Sequence, residues 1–178
     1  MIKRDFILLN IGHAIHHADW NWKNIYSPFA RIHFVESGSA EIVRENDRYV
    51  LKEGHLYLTP PYTKHGYSCT GDLSLYYIHI YEALEKQLSI FDILDFPVEL
   101  EADEMTVGLV RRLIAVNPKL ELKAYDPKDY DNSPTLMKNI SQHTHALPAL
   151  EMETEGILKQ IISRFLAGAS EKNWSCYL

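Results

Sequence analysis

The chain has 178 residues, 46% of them hydrophobic, which suits a single folded domain with one good core. A formal net charge of −6 excludes nucleic-acid binding by bulk positive charge, because affinity for phosphates depends on basic patches and Arg111-Arg112 is a single pair. No apolar run comes close to the length of about 20 residues that is needed to span a bilayer, so we predict no membrane contact.

A cluster of histidines, His13, His16 and His17, follows the apolar stretch 7–9. On a helix, His13 and His17 would share a face at the i, i+4 spacing of many metal-binding pairs. The apolar stretch before them and the Asp-Trp-Asn-Trp after them favour a strand and a loop. A polar surface segment is therefore the favoured interpretation. We assign no metal, since no carboxylate partner is in view.

The segment 27–81 has the pattern of consecutive short strands. Alternation places Arg31 and His33 on one face of a strand and Ile32 and Phe34 on the other. Turn-forming residues recur at hairpin spacing, and a Pro-Pro pair ends one strand because proline cannot donate to a ladder.

The last long strand of this segment, 73–81, alternates in the same way. It places Tyr77 and His79 on one face and Tyr76 and Ile78 on the other. Antiparallel strands with such short connections close into a sandwich or barrel. We therefore predict a mainly β fold with added α-helices and a polar interior.

This stretch resembles the cupin-like, ligand-binding N-terminal domain of AraC-type transcriptional regulators. The matching pieces, in order, are 31–38, 54–67 and 76–80. The spacing of Gly54, Pro60 and His65 is that of the second conserved block of cupins in general. The resemblance covers about residues 1–100 and implies an antiparallel β-barrel (a double-stranded β-helix or jelly roll) followed by a C-terminal helical segment.

Many cupins are metal enzymes, so the ligand positions matter. Their first block supplies a His-x-His pair and a Glu before a glycine, matched here by Gly38, and the Glu position falls on Arg31. The positions of the histidine pair are Ile25 and Ser27, or Asn24 and Tyr26. Arginine has no lone pair for a metal, so only His65 remains of the four ligands. We expect no metal, no cofactor and no catalytic residue.

The resemblance implies instead a small-molecule effector at the barrel mouth, and we expect a sugar or a sugar-derived metabolite. Arg31 would clamp a carboxylate or a hydroxyl pair, and histidines would switch between donor and acceptor. Aromatic rings offer flat apolar faces to a sugar ring. The candidate ligand-binding residues are Arg31, His33, His65, Tyr67, Tyr77, His79, Trp20 and Trp22. In the resembling family, the positions of Tyr67 and Tyr77 line the effector pocket.

Each candidate also has a purely structural alternative. His65 and Tyr67 would then satisfy backbone groups at the barrel rim, and His33 would be a satisfied core histidine. Arg31 would pair with an inner carboxylate. Trp20 and its neighbour at position 22 would fill the core.

Beyond residue 101 the hydrophobic period changes to that of a helix. The apolar stripe of the first helix is Met105, Leu109, Val110, Leu113 and Ile114. Asn117-Pro118 ends that helix, because the residue before proline avoids the α region. The polar stretch 119–134 predicts an ordered loop. Ser133 and Pro134 predict the N-cap and the first turn of a helix that runs through Ile140. His143 and His145 near its end are interpreted as capping or exposed residues.

The final helix, predicted over 151–168, has the strongest apolar stripe. Its members are Leu158, Ile161, Ile162, Phe165 and Leu166. Two partners for this stripe stay open: the chain's own barrel, or a second copy in a twofold dimer, where AraC-type domains place helices of this location. We assign the first four of these residues to a homodimer interface.

We thus expect a barrel over 1–100, a helical annex over 101–170 and a tail over 171–178. AraC-type regulators continue into a helix-turn-helix domain that this chain does not contain, so DNA contact would belong to that domain. The chain is either a shortened regulator or a product that lacks the reader and acts through dimers. Two cysteines, Cys69 and Cys176, lie far apart without a signal peptide, which favours the cytoplasm and no disulfide.

Three classes of function remain, in order. The first is the sensory and dimerisation domain of a transcriptional regulator. The second is a cupin enzyme with a metal-free pocket or an unrecognised ligand set. The third is a pure dimerisation module with a filled barrel.

Overall fold

The computed structural model describes residues 5–84, 88–143 and 147–172. Its strands are β1 (Asp5–His17), β2 (Trp22–Ile25), β3 (Ala30–Gly38), β4 (Glu41–Val43), β5 (Arg48–Val50), β6 (His55–Thr59), β7 (His65–Ser68), β8 (Asp72–Ala83), β9 (Leu94–Asp95), β10 (Glu99–Glu101) and β11 (Ser170–Glu171). The helices are α1 (Ile90–Ile93), α2 (Glu104–Val116), α3 (Pro127–Tyr130), α4 (Ser133–His143) and α5 (Pro148–Ala167), with a 3-10 turn at Pro118–Leu120. No helix in these ranges is long and apolar enough to cross a membrane.

Two antiparallel sheets form the β part of the fold. The larger has the strand order β1-β8-β3-β6-β10 and the smaller β2-β7-β4-β5, while β9 and β11 pair separately. Val35 and Leu75 of the larger sheet share a buried cluster with Ile42 and Tyr67 of the smaller, so the two sheets pack face to face. The predicted mainly β, antiparallel fold with C-terminal helices is confirmed.

The alternation predicted for β3 and β8 is also confirmed. Arg31, His33 and Tyr77 point between the two sheets. Ile32 and Ile78 lie in a second cluster on the outer face of the larger sheet. This sheet therefore has a polar inner face and an apolar outer face.

Helices α2 and α5 cover the apolar outer face. Val110 and Leu113 of α2 belong to its cluster, so the barrel region and the helical annex share one core. The α5 stripe assigned to a dimer interface, Leu158, Ile161, Ile162 and Phe165, is 0–5% exposed in the same cluster. These four side chains contact their own chain, which is the alternative that the sequence left open. An interface with a second copy therefore needs the opposite flank of α5, and the dimer itself stays a prediction.

The predicted helix starts and ends agree with the structure within a few residues. Helix α2 ends just before Asn117-Pro118 as predicted, and α5 begins at Pro148 and not at 151. Helix α4 begins at Ser133, so its cap is Asn132 and not the predicted Ser133: the Asn132 Oδ1 accepts from the Thr135 N–H at 3.0 Å. Outside the described part of the chain lie His145, Cys176 and the side chain of His143.

The histidine cluster lies on β1, a continuous strand of 13 residues paired with β8. His13 Nε2 lies 2.7 Å from Ser74 Oγ and 3.0 Å from Glu36 Oε2. His17 is exposed, whereas His16 is 3% exposed. The predicted polar surface segment is thus wrong for His16, because the strand continues and its alternation turns this ring inward.

Candidate functional site

The space between the two sheets holds a small cavity lined by polar and aromatic side chains. Six of the predicted ligand-binding residues line it: Trp20, Arg31, His33, Tyr67, Tyr77 and His79. Each is at most 5% exposed. The cavity volume is about 20 Å³, which is room for about one water molecule.

The other two predicted residues lie beside this lining. His65 is 3% exposed, with its Nε2 3.0 Å from the Tyr67 hydroxyl oxygen and its Nδ1 2.8 Å from the Thr63 carbonyl oxygen. It thus satisfies a backbone group at the rim, as its structural alternative predicted. Trp22 is half-buried on β2 and lines a separate surface pocket with Arg44.

Arg31 is the centre of the interior and is 1% exposed. Its Nη2 lies 3.0 Å from Asp131 Oδ2, a carboxylate that is 7% exposed, and donates to Ser27 Oγ at 2.7 Å. Its Nη1 donates to the Tyr130 hydroxyl at 2.8 Å and lies 3.2 Å from His79 Nε2. Ser27 Oγ also donates to Asp131. The inner carboxylate that the structural alternative required is therefore present, and it comes from beyond the barrel.

Residues 122–131, which we name the inner segment, close the cavity. The Leu122 N–H donates to the Tyr77 hydroxyl at 2.8 Å. The Tyr125 ring packs edge-on against His16, with ring centroids 5.2 Å apart, and the Tyr130 ring stacks on His79 at the same separation. The sequence predicts a polar loop for this stretch. The one available signal was its two Tyr-Asp pairs.

Aromatic stacking fixes the opposite wall of the cavity. The rings of Trp20 and Tyr67 lie parallel with centroids 3.8 Å apart, and His16 stacks on Trp20 at 5.5 Å. His33 meets the edge of Trp20 at 5.3 Å. His16 is thus a cavity residue that sequence analysis missed, although alternation from Ala14 would have placed it there.

Burial sets the protonation of this interior. It lowers the pKa of His33 and His79 well below 6.5, and the charge of Arg31 lowers both further. It lowers the pKa of His65 to about 4 and raises the pKa of Tyr67. At neutral pH these imidazoles are uncharged, each with one donor and one acceptor nitrogen, and the phenol is protonated.

Three buried polar atoms in the interior have no hydrogen-bond partner within the described ranges: Arg31 Nε, His33 Nδ1 and Thr59 Oγ1. Most buried polar groups in proteins are paired, because burial removes the hydration of an unpaired group and no hydrogen bond compensates for the loss. The hydrogen-bonding capacity of this site therefore exceeds what the chain itself uses.

The polar side chains of the interior engage one another in hydrogen bonds and an ion pair. Across the described ranges, no three His, Cys, Asp or Glu side chains converge on a common point. Both ring nitrogens of His65, the one remaining ligand position of the cupin pattern, lie within hydrogen-bond distance of protein oxygens. The guanidinium of Arg31 offers planar donors suited to a carboxylate or phosphate.

The sequence family described as the AraC-like ligand binding domain matches residues 10–115, more than half of the chain. The chain belongs to this family. The match begins in β1 and ends in α2, so it includes the strands around Arg31 and leaves out the inner segment. In this AraC-like domain, the residues that close the cavity thus lie beyond the matched region.

Several solved structures match this chain over less than half of its length, and the match spans between half and two thirds of the first two of them. The EutQ protein of Clostridium difficile is 17% identical over 39% of this chain and 53% of its own, with a TM-score of 0.34. A cupin 2 conserved barrel domain protein from Salinispora arenicola is 15% identical over 39% and 60%, with a TM-score of 0.35. Ectoine synthase from P. lautus is 14% identical over 45% and 69%, with a TM-score of 0.35. No curated protein sequence matches the chain.

The charge pair predicts a large difference between two aspartates of the inner segment. Asp131→Ala leaves the guanidinium of Arg31 buried without its counter-ion, so we expect the free energy of unfolding to fall by about 3–5 kcal/mol. Asp129→Ala removes an exposed carboxylate from the same segment and should change it by less than about 0.5 kcal/mol. Urea unfolding measures both, and equal losses would contradict the assignment of the buried pair.

The buried imidazoles predict acid sensitivity. Their folded-state pKa is depressed, so between pH 6.5 and that lower pKa the unfolded chain binds more protons, and stability falls as pH falls. For His65 the loss extends from about pH 6.5 to about 4. Each imidazole adds a slope of up to about 1.4 kcal/mol per pH unit. Urea unfolding at pH 7, 6 and 5 measures this slope, which His65→Gln should reduce and exposed His17→Gln should not. A flat profile would refute it.

Proposed function

We propose that this AraC-like domain binds a small-molecule effector between its two sheets and controls a DNA-binding helix-turn-helix domain outside this chain, in the cytoplasm. The carrying observation is a guanidinium that is 1% exposed and surrounded by uncharged imidazoles and stacked rings. If this core served packing alone, apolar side chains in place of the Arg31–Asp131 ion pair would make it at least as stable. The proposed role is recognition without catalysis.

The chemistry of the interior supports a sugar or a sugar-derived metabolite as the effector. Uncharged His33 and His79 each offer a donor and an acceptor, which suits hydroxyl groups. The Trp20 and Tyr67 stack offers flat apolar faces for the C–H groups of a sugar ring. Arg31 suits a carboxylate or a pair of hydroxyls.

One observation favours the alternative of a dimerisation module with a filled interior. The cavity of about 20 Å³ is too small for a sugar while the inner segment is in place. The part of the filling that comes from the inner segment, however, is mainly polar or aromatic, since Asp131, Tyr125 and Tyr130 accompany Leu122. It also leaves polar atoms without partners, which structural cores avoid. The sensor therefore remains the first proposal.

A ligand screen by thermal shift tests the sensor. A ligand at a hundredfold excess over its dissociation constant adds about 2.7 kcal/mol, which raises Tm by about 5–11 °C for a chain of this size. We expect such a shift with a monosaccharide or a uronic acid, its loss in Arg31→Ala and Tyr77→Ala, and its retention in Tyr62→Ala, a change at an exposed tyrosine. A shift with divalent metals alone would favour an enzyme. An equal shift in Arg31→Ala would place the ligand elsewhere.

We also propose a homodimer through the exposed flank of α5, where Met152 and Leu166 are 76% and 43% exposed. Replacing both by Asp should convert the dimer to a monomer in sedimentation velocity, because burying two carboxylates at an apolar contact is unfavourable. Met137→Asp changes an exposed methionine of α4 and is the matched control. A monomer in the unchanged chain, or a dimer that survives the double change, would refute this interface.

A further inference from the structure

The inner segment occupies the place where an effector would have to bind. With Leu122, Tyr125 and Tyr130 against the cavity, the remaining volume is about 20 Å³, enough for about one water molecule. An effector larger than water can therefore enter only if this segment moves out. Binding of an effector and release of the inner segment are therefore coupled in one equilibrium.

The contacts of the inner segment are those of a bound acid. Asp131 brings a carboxylate to Arg31 Nη2 at 3.0 Å and accepts a hydrogen bond from Ser27. Tyr130 brings a hydroxyl to Arg31 Nη1 at 2.8 Å and an aromatic ring onto His79. A small molecule with a carboxylate, a hydroxyl and a flat face would make the same contacts.

This occupancy is incomplete. A planar guanidinium binds a carboxylate best through two parallel N–H donors. Asp131 approaches Nη2, while Nε of Arg31 is buried without a partner within the described ranges, as is Nδ1 of His33. A free carboxylate, not constrained by the chain, can bridge Nε and Nη2 and so gain a contact that Asp131 does not make.

Charge decides between an acidic and a neutral effector. Exchange of Asp131 for another carboxylate keeps the interior neutral. A neutral molecule that displaced the segment would leave the guanidinium of Arg31 buried without a counter-ion, which is strongly unfavourable. An anion with oxygens like those of a carboxylate would also keep the interior neutral.

We infer that the effector is an organic acid whose carboxylate replaces Asp131 on Arg31 and expels the inner segment from between the sheets. This inference rests on the proposed sensor function and narrows its ligand class to acids. The segment leads directly into Asn132, the cap of α4, so its release changes the start of the helices that follow.

The decisive test adds acetate or acetamide, which share a shape and differ in charge, to purified variants. In Asp131→Ala, 100 mM acetate should raise Tm by more than about 3 °C over acetamide, because it restores the missing counter-ion. In the unchanged chain and in Asp129→Ala the two additives should differ by less than about 1 °C. Adding Arg31→Met to Asp131→Ala should remove the acetate effect. Asp131→Asn keeps the side chain's shape and replaces the Ala variant if that does not fold.

A second arm uses glucuronate and its neutral counterpart glucose. Asp131→Asn lacks the competing charge, so it should bind glucuronate at least about tenfold more tightly than the unchanged chain by calorimetry. Hydrogen exchange over 122–131 should become faster when glucuronate binds. Asp129→Ala should leave both values unchanged.

The outcomes separate the inference from the function on which it rests. If acetate and acetamide act alike on Asp131→Ala, the inference is wrong. If the unchanged chain binds glucose at least as well as glucuronate, the sensor stands and the acidic effector does not. If acetate acts as expected but neither sugar binds, the exchange at Arg31 is supported and the sugar part of the proposed function fails. If no compound binds any variant, both fail.

Discussion

The buried ion pair of Arg31 and Asp131 is the constraint on which the interior depends. A guanidinium cannot lose its proton in a protein, so a position that is 1% exposed requires a counter-ion from within the chain. No inward side chain of β3 or its neighbours β6 and β8 that lines the cavity is acidic. The partner comes from 100 residues further along the chain, and this need ties the inner segment, which includes α3, to the sheets.

The two faces of the larger sheet lie in different environments, and successive residues of β3 alternate between them. Arg31 and His33 face the polar interior, whereas Ile32 between them packs in the cluster that α2 and α5 cover. A shift of β3 caused by a ligand on one face therefore reaches the helices on the other through the backbone, since close-packed cores do not absorb such shifts. The inner segment offers a second connection, because it runs directly into α4. Both routes lead from the interior to the helical side of the AraC-like domain.

Periodicity explains which features could be predicted from the sequence. The two-residue period identified the inward faces of β3 and β8, and the helical stripes located α2 and α5, because both signals are local. The contact of Asp131 with Arg31 has no local signal, since it joins a loop residue to a strand residue that lies 100 positions earlier in the chain. The α5 stripe shows the same limit: Leu158 and its neighbours had to be buried, but the stripe alone does not say against which surface. Trp22 differs from Trp20 because Trp20 lies before β2, outside the alternation of that strand, and only its ring lines the cavity.

A tethered competitor changes what a sensor can respond to. In the proposed exchange, Asp131 is held close to Arg31 by the chain, so its effective concentration is high, and an effector's apparent affinity is its intrinsic affinity multiplied by the fraction of molecules in which the segment is open. Weak acids that merely reproduce the contacts of Asp131 gain nothing from the exchange. An effector must add contacts that the segment lacks, and the buried Arg31 Nε and His33 Nδ1 are the atoms that provide them. Selectivity among effectors then arises from the hydrogen bonds that the closed interior leaves unmade.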